Sequence, residues 1–283
     1  MGFFDIVKML LIAAAEALAE WLPVSSTGHI VVLGHYLGFS DWNESGAVRE
    51  LFVASATLGT FLAACALYLP NNGLTYRTQD GRRMPAADRL RFYMAVLIAW
   101  IPCILVAFTF GGIFNGFLYD PKSVQTLKMT MVVMIFGGFL MCVGELIGRR
   151  VTVKYEKLED IPLWLILLLC PVPIIGFLPG ASLFGVMVLI AVVFGVRRRT
   201  AVSFGVFMSL PAVAVYGVLP VIRNAGALTG IVASEMLMGG VLAFLLSFFL
   251  LRSITALLSE RTFAKFGRYR IAFGALLYVF TIL

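Results

Sequence analysis

Apolar runs of about 20 residues, the length a helix needs to cross a bilayer, recur along this 283-residue chain and leave it few folds to choose from. They fall near 50–69, 92–112, 126–147, 201–221, 234–258 and 270–283, the last being short. In lipid each backbone amide must be satisfied within its own segment, so such runs become helices. Hydrophobic residues make up 61% of the chain and charged residues 13%, with a mean hydropathy of +0.98, which excludes a soluble globular protein. No hydrophilic stretch is long enough for a second domain, so 1–283 reads as a single integral membrane domain. A cleaved signal peptide is not expected, because the start carries one lysine, Lys8, and runs directly into polar residues. Cys65, Cys103, Cys142 and Cys170 stand far apart in apolar segments and read as small filler rather than ligands or disulfides.

The net charge of +7 gathers in four loops: Arg77 to Arg91, Arg149 to Lys157, Arg197 to Arg199 and Arg261 to Arg268. The positive-inside rule places all four on the cytoplasmic side, where Arg197 to Arg199 set topology or meet anionic headgroups. No nucleic-acid partner is expected. Counting crossings, the loops share one side only if 162–196 enters and returns on that side. Pro171, Pro173, Pro179 and Gly180 supply the breaks a re-entrant hairpin needs. The loop around 40–50 then lies outside, and the segment before it dips in from the external face. Two broken hairpins entering from opposite faces predict an inverted repeat, with halves of roughly 1–147 and 158–283 and a site where the tips meet. Trp21-Leu-Pro-Val-Ser-Ser26 has an echo in Phe177-Leu-Pro-Gly-Ala-Ser182, with a serine three residues past the proline in both. The expected fold is thus an all-α polytopic membrane protein with inverted-topology repeats, a re-entrant helical hairpin in each, and about six full spans.

The stretch Glu16-Ala-Leu-Ala-Glu20-Trp-Leu-Pro-Val-Ser-Ser-Thr-Gly-His29 is where chemistry concentrates. A helix puts Glu16 and Glu20 on one face. A charged carboxylate at bilayer depth costs roughly 2.5–3.5 kcal/mol on insertion scales, so the pair needs a proton, a cation or a cationic side chain. Both glutamates suit a hard divalent cation such as Mg²⁺ or Ca²⁺. Ser25, Ser26 and Thr27 offer donors for phosphate or a nucleophilic hydroxyl, and His29 a general base. From the residues alone, metal-assisted phosphoryl chemistry and proton-coupled transport stand side by side. His35 reads as an interfacial polar residue and Glu145 as a snorkelled or paired carboxylate.

The run from Glu16 to His29 closely resembles the first signature of the undecaprenyl-pyrophosphate phosphatase family, the bacitracin-resistance integral membrane proteins: Glu-x-x-x-Glu, then Leu-Pro-x-Ser-Ser-Thr-Gly-His. The likeness continues less specifically through Thr57-Leu-Gly59, Ile101-Pro102, Gly137-Gly138 to Glu145, Arg198 to Pro211 and Phe266-Gly-Arg-Tyr-Arg270. The resemblance implies a bacterial cytoplasmic-membrane protein whose site opens to the external face. It would remove the terminal phosphate of undecaprenyl pyrophosphate with a divalent cation and so recycle the lipid carrier for cell-wall synthesis. Carried over, Glu16 and Glu20 hold the cation, Ser26 is the nucleophile assisted by His29, and Ser25 and Thr27 bind phosphate. A homodimer stays open. A type-2 phosphatidic-acid phosphatase is excluded, because its second arginine-and-histidine motif is missing despite the shared Gly-His ending.

The second signature departs. The family pattern Pro-Gly-x-Ser-Arg-Ser-Gly-x-Thr meets Pro179-Gly-Ala-Ser182-Leu183-Phe184-Gly-Val-Met187 here. A glutamine that the family carries upstream falls at Pro173, and its glutamate-phenylalanine-serine run becomes Ser203-Phe204-Gly205. Leucine cannot give phosphate the bidentate contact of a guanidinium. Ser182 remains as a phosphate contact. Arg270, in a Tyr-Arg-Ile context that matches the family, reads either as a snorkelling arginine at a helix start or as a replacement that reaches the site. Leu183, Phe184 and Met187 suggest a greasy wall for a prenyl chain. Three readings follow: a polyprenyl-pyrophosphate phosphatase with a rebuilt half-site, a non-hydrolytic carrier of polyprenyl phosphate, and a lipid-binding regulator.

Overall fold

The computed structural model describes residues 2–38, 46–69, 86–98, a few positions between 101 and 109, and 123–282. Ten α-helices run through the described residues in the order α1 Phe3–Ala19, α2 Ser26–Tyr36, α3 Gly46–Tyr68, α4 Ala86–Ile98, α5 Val124–Gly148, α6 Leu163–Leu169, α7 Leu183–Val193, α8 Arg198–Arg223, α9 Gly230–Glu260 and α10 Phe263–Ile282. Among those residues there is no strand, only an isolated bridge between Tyr155 and Val196.

Four helices, α3, α5, α8 and α9, are long and apolar enough to cross a membrane, and they match four of the six expected spans. This is a multi-pass membrane protein. Of the expected 92–112 span, α4 covers the beginning and most of the remainder lies outside the described residues, as do 40–45 and most of the Arg77 to Arg91 stretch. The last expected span differs in its start. Helix α10 begins at Phe263, about two turns before 270, and carries Lys265, Arg268 and Arg270 in its first half.

Helix association in lipid relies on close backbone approach, because lipid tails are as apolar as leucine. Two pairs use it. In α3 against α9, a Cβ on Gly59 would sit 2.2 Å from the Gly240 carbonyl oxygen. In α5 against α10, one on Gly138 would sit 2.5 Å from the Gly267 carbonyl oxygen. Around these pairs the core is built from α7, α8 and the inner faces of their neighbours, with Phe204, Val206, Met208, Met187 and Val188 fully enclosed.

Three of the basic segments, 149–157, 197–199 and 261–268, share one end of the bundle, and the described end of the fourth, at Asp88 and Arg91, lies beside them. Glu145, at the end of α5, accepts from Arg198 Nη2 at 2.8 Å on both oxygens, from Arg149 Nε at 3.3 Å and from the Phe263 amide at 3.0 Å. Arg198 also donates to the Arg261 carbonyl at 3.3 Å and lies over the Phe263 ring. Asp88 and Arg91 of α4 line a small cleft with Leu158 and Glu159. Arg198 is therefore a partner of a buried carboxylate rather than the headgroup contact expected of its loop, and Glu145 is the paired carboxylate that was expected. Away from this end, Asn224 donates to Glu50 Oε2 at 2.8 Å, tying the end of α8 to the start of α3.

Helices α1 and α2 form a hairpin broken at residues 20–25. Ala17 meets Ser247 midway along α9 (hydroxyl to carbonyl, 3.3 Å), and the far end of α2 meets the end of α10 through Tyr36 and Thr281. A second hairpin runs from α6 through a 3₁₀ stretch, Val172–Phe177, to α7. Its outer ends lie by the basic segments: Leu158 beside Asp88 and Arg91, and the Gly195 carbonyl accepting from the Lys154 amide at 2.8 Å. The turns of the two hairpins touch. Gly180 N–H donates to Thr27 Oγ1 at 3.3 Å, Ser182 Oγ donates to the Leu22 carbonyl at 3.4 Å, and Trp21 meets Phe184 edge-on at 6.1 Å.

Candidate active site at the hairpin junction

Helix α1 ends where the Trp21-Leu22-Pro23 turn begins, which leaves Glu16 and Glu20 on its last turn. The chain then reverses through Ser25, held at φ +75°, a left-handed conformation that a non-glycine residue adopts only where its surroundings enforce it. Ser25 caps α2, its hydroxyl accepting from the Gly28 amide at 3.0 Å and lying 3.1 Å from Thr27 Oγ1. In the other hairpin Ser182 caps α7 in the same way, accepting from Gly185 N–H at 3.3 Å. The structural counterpart of Ser182 is thus Ser25. The proline-counted echo pairs it with Ser26, one residue off, because the second turn takes an extra residue at Gly180, φ +91°.

Capping by Ser25 releases Ser26 to face the glutamates. Its hydroxyl donates to Glu20 Oε2 at 2.5 Å, and Thr57 of α3 donates to Glu16 Oε1 at 2.7 Å. The other oxygen, Glu16 Oε2, is buried without a hydrogen-bond partner. A cavity of about 50 Å³ is lined by Glu16, Glu20, Ser26, Thr27 and Thr57, with Phe177 and Tyr216 among its other walls. That is room for a few waters or a partly hydrated ion. Tyr216 is fixed by donating to the Pro173 carbonyl at 2.5 Å.

The donors facing this cavity are all oxygens, which is the chemistry of Mg²⁺ or Ca²⁺. Among the described residues no group of three His, Cys, Asp or Glu gathers anywhere. A cation here would rest on two carboxylates and fill its remaining positions with water and phosphate oxygens, as Mg²⁺ commonly does. The unpartnered Glu16 Oε2 fits such an ion.

His29 stands elsewhere. Its Nδ1 lies 2.6 Å from the Ser25 carbonyl oxygen and its Nε2 2.7 Å from the Tyr269 hydroxyl, and its ring stacks on Phe273 at 5.0 Å. It lines a different cavity from Ser26. Arg270 is not a snorkelling residue: it is 1% exposed, donates to the Gly180 carbonyl at 2.6 Å and to that of Val133 at 3.4 Å, and leaves Nε and Nη1 without partners. Its guanidinium thus lies behind the Gly180 turn whose front face meets Thr27. Ser182 serves as a cap and a pin between hairpins. Leu183, Phe184 and Met187 are buried in the core and none lines the cavity at Glu16.

Thr57 and Tyr269 fell within stretches of family likeness but were given no role from sequence, and Tyr216 was not singled out. Thr57 had a further signal, a hydroxyl inside an apolar span, and Tyr216 had none beyond ordinary span composition.

The model of the family described as bacitracin resistance protein BacA matches residues 9–276. An Agrobacterium fabrum protein named undecaprenyl-diphosphatase 1 is 30% identical over 98% of this chain and 97% of its own length. An undecaprenyl-diphosphatase 2 of Rhodospirillum rubrum is 27% identical, covering 97% and 94%, and an undecaprenyl-diphosphatase 1 of Chromobacterium violaceum 28%, covering 94% and 92%. With the match running through both hairpins and every long helix, the chain belongs to the bacitracin resistance protein BacA family.

Proposed function

We propose that this protein hydrolyses a polyprenyl pyrophosphate, undecaprenyl pyrophosphate by its relatives' names, to the monophosphate in the bacterial cytoplasmic membrane. The observation that carries this reading is the Ser26 hydroxyl aimed at Glu20 at 2.5 Å, beside a buried Glu16 oxygen with no partner. Glu20 takes the hydroxyl proton as the Ser26 oxygen attacks the terminal phosphorus. The new O–P bond forms as the bond to the bridging oxygen breaks, and the polyprenyl phosphate leaves with the electron pair. Water then hydrolyses the phosphoserine and releases phosphate. Bound Mg²⁺ or Ca²⁺, held by Glu16 and Glu20, would offset phosphate charge as a Lewis acid. Ser25 and Thr27 shape the turn that presents Ser26, with Thr27 close enough to donate to phosphate. His29, through the Ser25 carbonyl and Tyr269, fixes that turn against α10.

Arg270 supplies the positive charge that Leu183 removes from the second motif. Its two unpartnered nitrogens are buried with no carboxylate against them among the described residues, and an anion at the junction is the partner they lack. Each hairpin has both outer ends toward one end of the bundle and its turn midway. Those contacts support re-entrant hairpins in an inverted repeat with halves near 1–147 and 158–283, the first opening to the external face. A non-hydrolytic polyprenyl-phosphate carrier is the second reading, favoured by the lost second-motif hydroxyls at Phe184 and Met187.

The test is phosphate release from undecaprenyl pyrophosphate by detergent-purified protein with Mg²⁺ or Ca²⁺. Release by the wild type that drops by about 10²-fold or more in Ser26→Ala and Glu20→Gln is expected. A folded wild type that releases nothing, while Leu183→Arg does, would put the carrier reading in its place.

A further inference from the structure

A second, larger cavity lies apart from the Glu16 and Glu20 site. It is an open groove of about 690 Å³ between α1, the end of α9 and the start of α10. Most of its wall is apolar, and Leu18 and Leu257 on that wall are 41% and 44% exposed, so in a membrane protein they face lipid tails. One end differs: Arg261 and Lys265 stand at the basic end of the bundle, and neither side chain has a hydrogen-bond or ion-pair partner among the described residues. The neighbouring cations Arg149, Arg197 and Arg198 are each engaged by a glutamate. The groove's inner reach is marked by His29 and Tyr269, which hold each other at 2.7 Å.

From this arrangement we infer that the groove is a binding site for an anionic phospholipid of the cytoplasmic leaflet. Its phosphate lies on Arg261 and Lys265 and an acyl chain runs along Leu18, Leu22 and Leu257 toward Tyr269. Charge and geometry both select this occupant. The positive-inside count puts these two cations at the inner headgroups, where anionic lipids attract nearby Lys and Arg side chains. The apolar wall continues from them into the hydrocarbon, as a chain attached to that phosphate requires. The residues that hold the phosphate and the acyl chain do not line the Glu16 and Ser26 cavity, and the groove's inner end, at Tyr269, touches the turn that presents Ser26.

The experiment is lipid retention. Full-length protein is reconstituted in phosphatidylcholine nanodiscs containing a minority of phosphatidylglycerol, extracted in mild detergent, and the co-purifying lipids are quantified. Several-fold enrichment of phosphatidylglycerol over the disc composition is expected for the wild type. It should fall to the disc ratio in the double variant Arg261→Gln and Lys265→Gln, and persist in Arg149→Gln with Arg150→Gln, which removes two cations at the same end outside the groove. Leu18→Trp, which fills the apolar wall and keeps both cations, is expected to lose the enrichment too and serves if the double variant does not fold. No enrichment in the wild type, equal enrichment in the groove variants, or equal loss in the Arg149 and Arg150 control overturns the proposal. So does displacement of phosphatidylglycerol by polyprenyl phosphate at far lower amounts, which would assign the groove to the family's own lipid.

Discussion

At the scale of single residues, the junction holds two incomplete charges: a Glu16 oxygen with no donor and an Arg270 guanidinium with two idle nitrogens. Leaving such groups buried, charged and unpaired costs several kcal/mol, so Arg270 suits an anionic ligand, and Glu16 a cation or a proton. Arg270→Ala is expected to lower undecaprenyl pyrophosphate hydrolysis by about 10²–10³-fold, the usual loss for a transition-state charge donor. Arg270→Lys should recover only part of it, because an ammonium cannot reproduce the planar fork that meets Gly180 and leaves donors over. Equal rates for lysine and wild type would reduce Arg270 to a point charge. Thr57 acts one step further out. It orients Glu16 by a 2.7 Å bond, so Thr57→Val is expected to raise the Mg²⁺ needed for half-maximal rate by about 10–100-fold with a smaller change at saturating metal. An unchanged Mg²⁺ requirement would remove Thr57 from the ion's surroundings. The glutamates and the Ser25 to Thr27 string were legible because polar residues inside an apolar run stand out. Arg270 was ambiguous because a sequence shows where a run becomes apolar, not where a helix begins. Starting α10 two turns earlier moves this arginine from the helix mouth to its interior.

At the scale of elements, two kinds of joint hold the helices in register, and they fail differently. Glu145 gathers α5, α8 and the start of α10 through one buried carboxylate and a two-oxygen contact from Arg198. Replacing it with Gln removes the charged acceptor that Arg198, Arg149 and the Phe263 amide share, and about 1.5–3 kcal/mol of stability is expected to go, read as a lower midpoint in detergent denaturation. Hydrolysis per folded molecule should stay near wild type, since Glu145 touches nothing at the junction. A large loss of rate without loss of stability would contradict that division. The glycine crossing of α3 and α9 is the other joint. Gly59→Ala places a methyl 2.2 Å from a backbone oxygen and forces the helices apart, for an expected cost of about 1–3 kcal/mol. Because α3 carries Thr57 two residues away, this variant should also weaken the Mg²⁺ response, which Glu145→Gln should not. Such joints are poorly visible in sequence: a glycine in a span is common, and only the facing carbonyl makes it necessary. The register of the hairpin echo was obscured for a related reason. Counting from proline equates Ser182 with Ser26, whereas the backbone equates it with Ser25 and so leaves Ser26 free for Glu20.

At the scale of the whole molecule, charge distribution and hairpin placement constrain each other. Segments 149–157, 197–199 and 261–268 are drawn together by Glu145 and Arg198, and the start of α4 joins them through Asp88 and Arg91. One end of the bundle is basic, and the positive-inside rule would place it on the cytoplasmic side. The first hairpin opens away from that end, which would give its site the external side, while the second hairpin opens toward it. This arrangement makes a directional prediction. In a background without native cysteines, Ala227→Cys, beyond the end of α8, is expected to react with a membrane-impermeant maleimide added to intact cells. Glu156→Cys, in the basic segment that Thr200 and Arg197 tie down, is expected to react only after the membrane is opened. The reverse pattern would invert the molecule, turn the Glu16 and Ser26 cavity to the cytoplasm and undo an external pyrophosphate substrate. It would also move Arg261 and Lys265 to the outer headgroups, so a single labelling experiment bears on both the catalytic site and the lipid groove.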